Sequence, residues 1–160
     1  MTEEQKQKAE KMANRMLNQV GISELAKLGI YKRLILSLSI DDFNILEDNK
    51  IYFNPIFSPA SQNKLNLDLE KGSNIITIDL NTVRLFSSEE GTAIVLHEIG
   101  HALNPDKKNI DGEYVSDSYA CERGFSQYII SSLEKGKMIR PSEFSTKSTE
   151  LRLERLKNDN

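Results

Sequence analysis

Both histidines of this chain lie in one short stretch, VLHEIGHAL, at residues 95–103. Positions i and i+4 of an α-helix share a face, so a helix here would place the imidazoles of His97 and His101 one turn apart. Apolar residues surround the two histidines almost completely. The stretch therefore fits two surface histidines on an amphipathic helix poorly. Buried imidazoles are costly unless other groups satisfy them, so the histidines are expected to have partners.

The spacing H-E-x-x-H is typical of a catalytic zinc site. Two imidazoles on one helix face can bind the same ion. The carboxylate of Glu98 would then point slightly round the helix, where it can reach a metal-bound water without ligating the metal. We therefore expect His97 and His101 to bind one Zn²⁺ ion and Glu98 to act as a general base.

A catalytic zinc site needs a third protein ligand and one open position for water. The segment DGEYVSDSYACERG, residues 111–124, contains Glu113 and Asp117 four positions apart. A turn through Pro105 and Gly112 would return this segment alongside the histidines. Glu113 is the favoured ligand, with Asp117 accepting the outer N–H of one histidine. The reverse assignment stays open, and so does the interpretation of both as ordinary carboxylates at a helix start.

These two motifs together resemble a known family. HEIGH followed by EYVSDSYA is similar to the HExxH and ExxAD motifs of the CAAX prenyl proteases and their heat-shock membrane protease relatives, which are gluzincins. The resemblance implies Glu113 as zinc ligand and Asp117 as its supporting residue, with Ser116 where the family usually has Ala. It also implies a zinc metalloendopeptidase, here in a minimal soluble form without the family's membrane helices.

A weaker likeness to the same family lies near the C-terminus, in FSTKSTELRLERLKN at residues 144–158. Arg152 matches the family's Arg, whereas Lys147 and Ser148 replace its usual His-Pro. Arg152 and Tyr119 are possible contacts to the oxyanion or the substrate. Other candidates are Lys147, Tyr114 and Tyr128. Arg152 has an alternative role in a salt bridge to Asp117 or to another acidic residue on a helix.

The pattern along the chain predicts an α+β fold with residues 1–160 in a single domain. The expected architecture is zincin-like: a small mixed or antiparallel sheet packed on the HExxH helix, with further N- and C-terminal helices. The periodicity predicts helices over 2–20, 22–28, 87–103, 113–134 and 142–157, and strands over 50–57 and 73–80. Residues 31–40 are ambiguous and favour a strand, and residues 58–72 and 106–112 are expected to be loops.

Composition narrows the class of protein. The net charge of −3, with acidic and basic residues interspersed, argues against a nucleic-acid partner. No apolar run approaches the roughly 20 residues needed to span a bilayer, and the charged N-terminal stretch is unlike a signal peptide. Cys121 is the single cysteine, which excludes an intrachain disulfide. We expect a soluble, cytoplasmic protein without membrane attachment.

The sequence therefore predicts a zinc-dependent metallopeptidase that hydrolyses a peptide or protein substrate through a metal-activated water. Residues 74–80 are a candidate edge strand for that substrate, although an interior strand fits them equally well. Two alternatives stay open: an ImmA/IrrE-like regulatory protease, and a zincin-fold protein that binds zinc without turnover. The sequence specifies neither the natural substrate nor the oligomeric state.

Overall fold

A computed structural model describes residues 1–57 and 72–159 of the chain. These residues form many helices and one small sheet, which confirms the predicted combination of helices with a small sheet. The chain divides into two compact units, Met1–Ser88 and Glu89–Asn160, and the prediction of a single domain stays a prediction. Within the described ranges, no helix combines the length and the apolar character that crossing a bilayer requires.

Among the described residues of the first unit, four helices precede two strands in the chain and a short helix follows them. In chain order these elements are α1 (Glu3–Arg15), α2 (Gln19–Lys27), α3 (Ile30–Ser37), α4 (Ile40–Asp48), β1 (Ile51–Ile56), β2 (Asn74–Asp79) and α5 (Leu80–Val83). Capping boxes at Thr2 and Ser39 begin α1 and α4. The core of the unit is apolar and includes Met12, Leu25, Leu34, Phe43, Phe53 and Leu80.

The two strands of the described residues pair in parallel, with Phe53 opposite Ile76. Both were predicted as strands from their β-branched and aromatic residues, and both are present. The expectation of a mixed or antiparallel sheet is wrong for these two strands. Parallel neighbours need a crossover of a dozen or more residues, and the stretch 57–73 between them is long enough in sequence. The predicted loop at residues 58–72 lies outside the described residues, except for Gly72.

The predicted first helix over residues 2–20 is interrupted. α1 ends at Arg15, after which Met16 forms an isolated bridge to Phe53 of β1. Asn18 then caps α2 by accepting hydrogen bonds from two backbone N–H groups. Gly21, expected to end the first helix, lies inside α2, where an added Cβ would come within 2.6 Å of Pro55.

The strand favoured for residues 31–40 is also wrong, because this segment lies in α3 and the start of α4. Its leucines and isoleucines alternate with other residues, but they also recur at helical spacing. Ile30, Leu34 and Leu38 are buried four residues apart, while Leu36 is exposed. Burial of one helical face therefore decides the structure of this segment.

Every secondary structure element within the described residues of the second unit is a helix. The HExxH stretch lies on α6 (Ser88–Leu103), as predicted, and is followed by α7 (Asn109–Cys121), α8 (Ser126–Ile139), α9 (Pro141–Phe144) and α10 (Lys147–Asn158). The single long helix predicted over 113–134 is split between α7 and α8. Gly124 has φ +83°, a left-handed conformation that stops α7 and that glycine adopts without strain.

α6 and α7 approach each other closely at Gly100 and Ser116. A Cβ on Gly100 would lie 2.6 Å from the Cα of Ser116, so only glycine allows this approach. The Ser116 side chain is fully buried and its hydroxyl oxygen has no hydrogen-bond partner. This contact brings the backbone of α7 against the helix that carries both histidines.

Candidate metal centre

One cluster in the second unit joins His97 and His101 of α6 to Glu113 of α7. Nε2 of His97 lies 3.5 Å from Oε2 of Glu113, and Nε2 of His101 lies 3.4 Å from Oε1. One donor atom from each of the three residues lies within 4.8 Å of the other two. The predicted ligands are thus brought together by two neighbouring helices.

The donor set and its spacing fit a zinc ion. Two imidazole nitrogens and one carboxylate oxygen are common ligands of catalytic zinc. Tetrahedral coordination with bonds of about 2.0–2.1 Å places neighbouring donors about 3.3 Å apart. The separations of 3.5 Å from His97 to Oε2 of Glu113 and of 3.4 Å from His101 to Oε1 are each close to that spacing, although they involve different oxygens of the carboxylate. Three protein donors would leave the fourth position open.

Asp117 contacts His97 on the other side of its ring. Oδ1 of Asp117 lies 2.9 Å from Nδ1 of His97, and both side chains are almost fully buried. If Nδ1–H donates to this carboxylate, Nε2 keeps its lone pair and faces Glu113 and His101. The geometry therefore favours Glu113 as the third ligand and Asp117 as the residue that orients His97.

Arg152 of α10 bridges the two carboxylates. Its Nε and Nη2 donate to both oxygens of Asp117, at 2.9 and 2.6 Å, and its Nη1 lies 2.7 Å from Oε2 of Glu113. Nη2 of Arg152 is also 3.3 Å from Nδ1 of His97. Nδ1 can make only one hydrogen bond in the ring plane, and its shorter contact, at 2.9 Å, is the one to Asp117. The structure places Arg152 in the salt bridge considered as its alternative role.

These contacts shift the pKa values of the buried groups. Burial, the largest influence on His97, lowers its pKa, but hydrogen bonds to Asp117 and Glu113 outweigh burial and raise it above the usual value. For Asp117, burial acts to raise the pKa, and bonds to His97 and Arg152 lower it overall. The bond to His97 lowers the pKa of Glu113 against an opposing effect of burial. A metal ion must displace the proton of His97, so metal affinity should fall as pH decreases.

Glu98 follows His97 on α6 and is half-buried. No hydrogen bond or ion pair engages its carboxylate among residues 1–57 and 72–159. A helix rotates by about 100° per residue, so this carboxylate lies beside the histidine face rather than on it. Among the described residues it is thus an unpaired carboxylate one position after His97, and a general base needs a carboxylate that is free to accept a proton.

The cluster opens to solvent on the side of His101. The His97 side chain is 9% exposed, whereas the Glu113 and His101 side chains are 27% and 32% exposed. A cavity of about 570 Å³ adjoins this open side and is lined by His101 and Glu113, among others. A ligand can therefore approach the cluster through this cavity.

Other predicted site residues lie in different positions. Tyr119 lies under the guanidinium of Arg123, 3.4 Å from ring centroid to Cζ, and lines a separate cavity with Asn104 and Tyr114. The structure does not place Tyr119 among the residues that line the cavity beside the cluster. Cys121 is a half-buried free thiol, and burial raises the pKa of this thiol.

Sequence reasoning missed part of the cavity wall. Lys107 and Lys108, interpreted only as polar loop residues, line the cavity together with Lys147, which was a candidate for oxyanion contact. The available signal was the Lys-Lys pair a few residues after His101, just before the segment that carries Glu113.

Comparison of the chain with protein-family models, with curated proteins and with solved structures finds no match in any of the three.

Proposed function

We propose that this chain is a zinc-dependent metallopeptidase of the zincin type, acting on a peptide or protein substrate. The observation that carries the proposal is the convergence of His97, His101 and Glu113, of which one donor atom each lies within 4.8 Å of the other two, a set of ligand types common in catalytic zinc sites. The resemblance of HEIGH and EYVSDSYA to gluzincin motifs supports the same assignment from the sequence.

Each residue of the centre has a distinct role in the proposed reaction. The two histidines and Glu113 hold the ion, which when bound polarises a substrate carbonyl and acidifies water. Glu98 takes the proton of the attacking water and passes it to the leaving nitrogen. Asp117 fixes the ring of His97, and Arg152 offsets the negative charge of Asp117 and Glu113.

The alternative of zinc binding without turnover is less well supported. Structural zinc sites are closed by four protein ligands, whereas the described residues bring three such groups together here. Glu98 also has no structural partner among them. An ImmA/IrrE-like regulatory protease would share this chemistry and differ in its substrate.

The decisive experiment measures metal content and peptide hydrolysis together. We expect purified protein to contain one zinc ion per chain by elemental analysis, and zinc-loaded protein to cleave a random peptide library, with products identified by mass spectrometry. Glu98→Gln should keep the zinc and lower the cleavage rate about 10²- to 10⁴-fold, because general-base catalysis is lost.

Glu154→Gln is the matched control, since Glu154 is an exposed carboxylate on α10 with no role in the centre. It should keep both zinc and activity. Failure to bind zinc would overturn the proposal entirely. Zinc binding without any cleavage by the unmodified chain would establish the non-enzymatic alternative, and full activity of Glu98→Gln would exclude Glu98 as the base.

A further inference from the structure

The cavity beside the metal centre has an unusual set of charged residues. Lys107, Lys108 and Lys147 line it together with His101 and Glu113. We refer to this space as the lysine cavity. The three lysines come from two separate segments, the turn before α7 and the first residue of α10. They converge on one space next to two of the proposed zinc ligands.

The lysine cavity is positively charged although the chain as a whole has a net charge of −3. Among the described residues, Glu113 supplies the only carboxylate of its lining, and Arg152 pairs with that carboxylate at 2.7 Å. No ion pair engages any of the three lysines within residues 1–57 and 72–159. The three ammonium groups therefore stay available for an ion pair with a ligand, as far as these residues are concerned.

The N-terminal ends of α7 and α10 add partial positive charge beside the lysine cavity. Lys108 is the N-cap residue of α7 and provides no side-chain cap, and the first turn of α10 contributes Lys147 and Ser148 to the lining. The N-terminal end of a helix carries a partial positive charge from its unpaired N–H groups. Ile110 and Leu151 form an apolar part of the wall of the lysine cavity.

We propose that the lysine cavity is a substrate subsite for a carboxylate, carried by an Asp or Glu side chain near the bond to be cleaved. This inference rests on the proposed peptidase function, because it takes the peptide to lie at the metal centre. The cavity adjoins His101 and Glu113, so the carboxylate belongs to a residue next to the scissile bond. A free C-terminal carboxylate has the same chemistry, and the experiment below distinguishes it from a side-chain carboxylate.

The test measures binding, so it does not depend on turnover. Short fluorescein-labelled peptides with an amidated C-terminus, identical except for one Glu or Gln, are titrated against full-length Glu98→Gln by fluorescence anisotropy. A third peptide keeps Gln and has a free C-terminal carboxylate. Each titration is done with and without added zinc, so that a loss of metal binding does not remove the readout.

We expect the Glu peptide to bind about fivefold more tightly than the Gln peptide, with a preference that falls as salt increases. Adding Lys107→Gln, Lys108→Gln and Lys147→Gln together should abolish that preference. The control triple, Lys27→Gln, Lys32→Gln and Lys157→Gln, removes the same charge from outside the cavity and should retain it. Lys147→Glu should shift the preference toward a peptide that carries Lys in place of the varied Glu or Gln.

Equal binding of all three peptides, or equal loss of the preference in both triple variants, would overturn the subsite. Selective binding of only the free C-terminal peptide would keep the carboxylate subsite and assign it to chain ends. The cleavage assay with the random library separates the two proposals. Cleavage without a preference for acidic residues overturns the subsite alone. Acid-selective binding without any cleavage overturns the peptidase function and leaves the cavity as a carboxylate-binding site rather than a substrate subsite.

Discussion

At the scale of single residues, Asp117 determines which nitrogen of His97 faces Glu113. It accepts from Nδ1 and is itself held by two hydrogen bonds from Arg152. The sequence predicted this role from the spacing of Glu113 and Asp117 and from a family resemblance. It did not predict that Arg152 would contact both carboxylates, because α10 is distant in sequence from α7.

Asp117→Asn tests the orienting role. Asparagine keeps the shape of the side chain but removes its charge, so zinc affinity should fall about 10- to 100-fold. The free energy of unfolding of the metal-free protein should also fall by about 3 kcal/mol, because Arg152 loses a buried charged partner. Competition with a chromogenic chelator measures the affinity, and urea unfolding measures the stability.

Asp111→Asn is the matched control, since Asp111 is an exposed carboxylate in the first turn of the same helix. It should change zinc affinity by less than about twofold, as expected of a surface charge. An equal effect of both substitutions would show that Asp117 acts only through the net charge of α7.

At the scale of secondary structure elements, the sequence predicted those segments whose pattern has a single interpretation. β1, β2 and α6 are present as predicted, because β-branched runs and a long apolar helix leave little ambiguity. α3 was not predicted, because its dense leucines and isoleucines fit a period of two as well as a helical period. The break after α7 depends on the single left-handed residue Gly124, which composition alone does not reveal.

The contact between α6 and α7 gives a pair of opposite predictions. Gly100→Ala should lower the free energy of unfolding by about 1–3 kcal/mol, because its methyl group would overlap the backbone at Ser116. Ser116→Ala should raise that free energy by about 1 kcal/mol, because it removes a buried hydroxyl that has no partner. Thermal and urea unfolding measure both effects.

Ser118→Ala serves as the control for the second substitution. The hydroxyl of Ser118 donates to the carbonyl oxygen of Tyr114, so its loss should give no gain in stability. If Gly100→Ala left both stability and zinc affinity unchanged, the close approach of the two helices would not be what positions Glu113.

At the scale of the whole molecule, zinc binding should stabilise the two compact units unequally. The proposed ligands all lie in Glu89–Asn160. Free zinc at about 100 times its dissociation constant adds about 2.7 kcal/mol of stability. The unfolding temperature should therefore rise by several degrees, and hydrogen exchange should slow most in α6, α7 and α10.

Calorimetry and hydrogen-exchange mass spectrometry measure this response. His101→Ala is the control, because it removes a partly exposed ligand and should abolish both changes. Slowing of exchange confined to residues of Met1–Ser88 would contradict the location of the centre.

The guanidinium of Arg152 ties α10 to two acidic residues of α7, one of which also orients a histidine of α6. Three separate segments are thus already gathered before any ion arrives. If the cluster holds an ion as proposed, loading and removing that ion should require little rearrangement of the backbone. Chelator treatment should leave a folded apoprotein that regains its ion within the mixing time, unlike a zinc finger, which unfolds when its ion is removed.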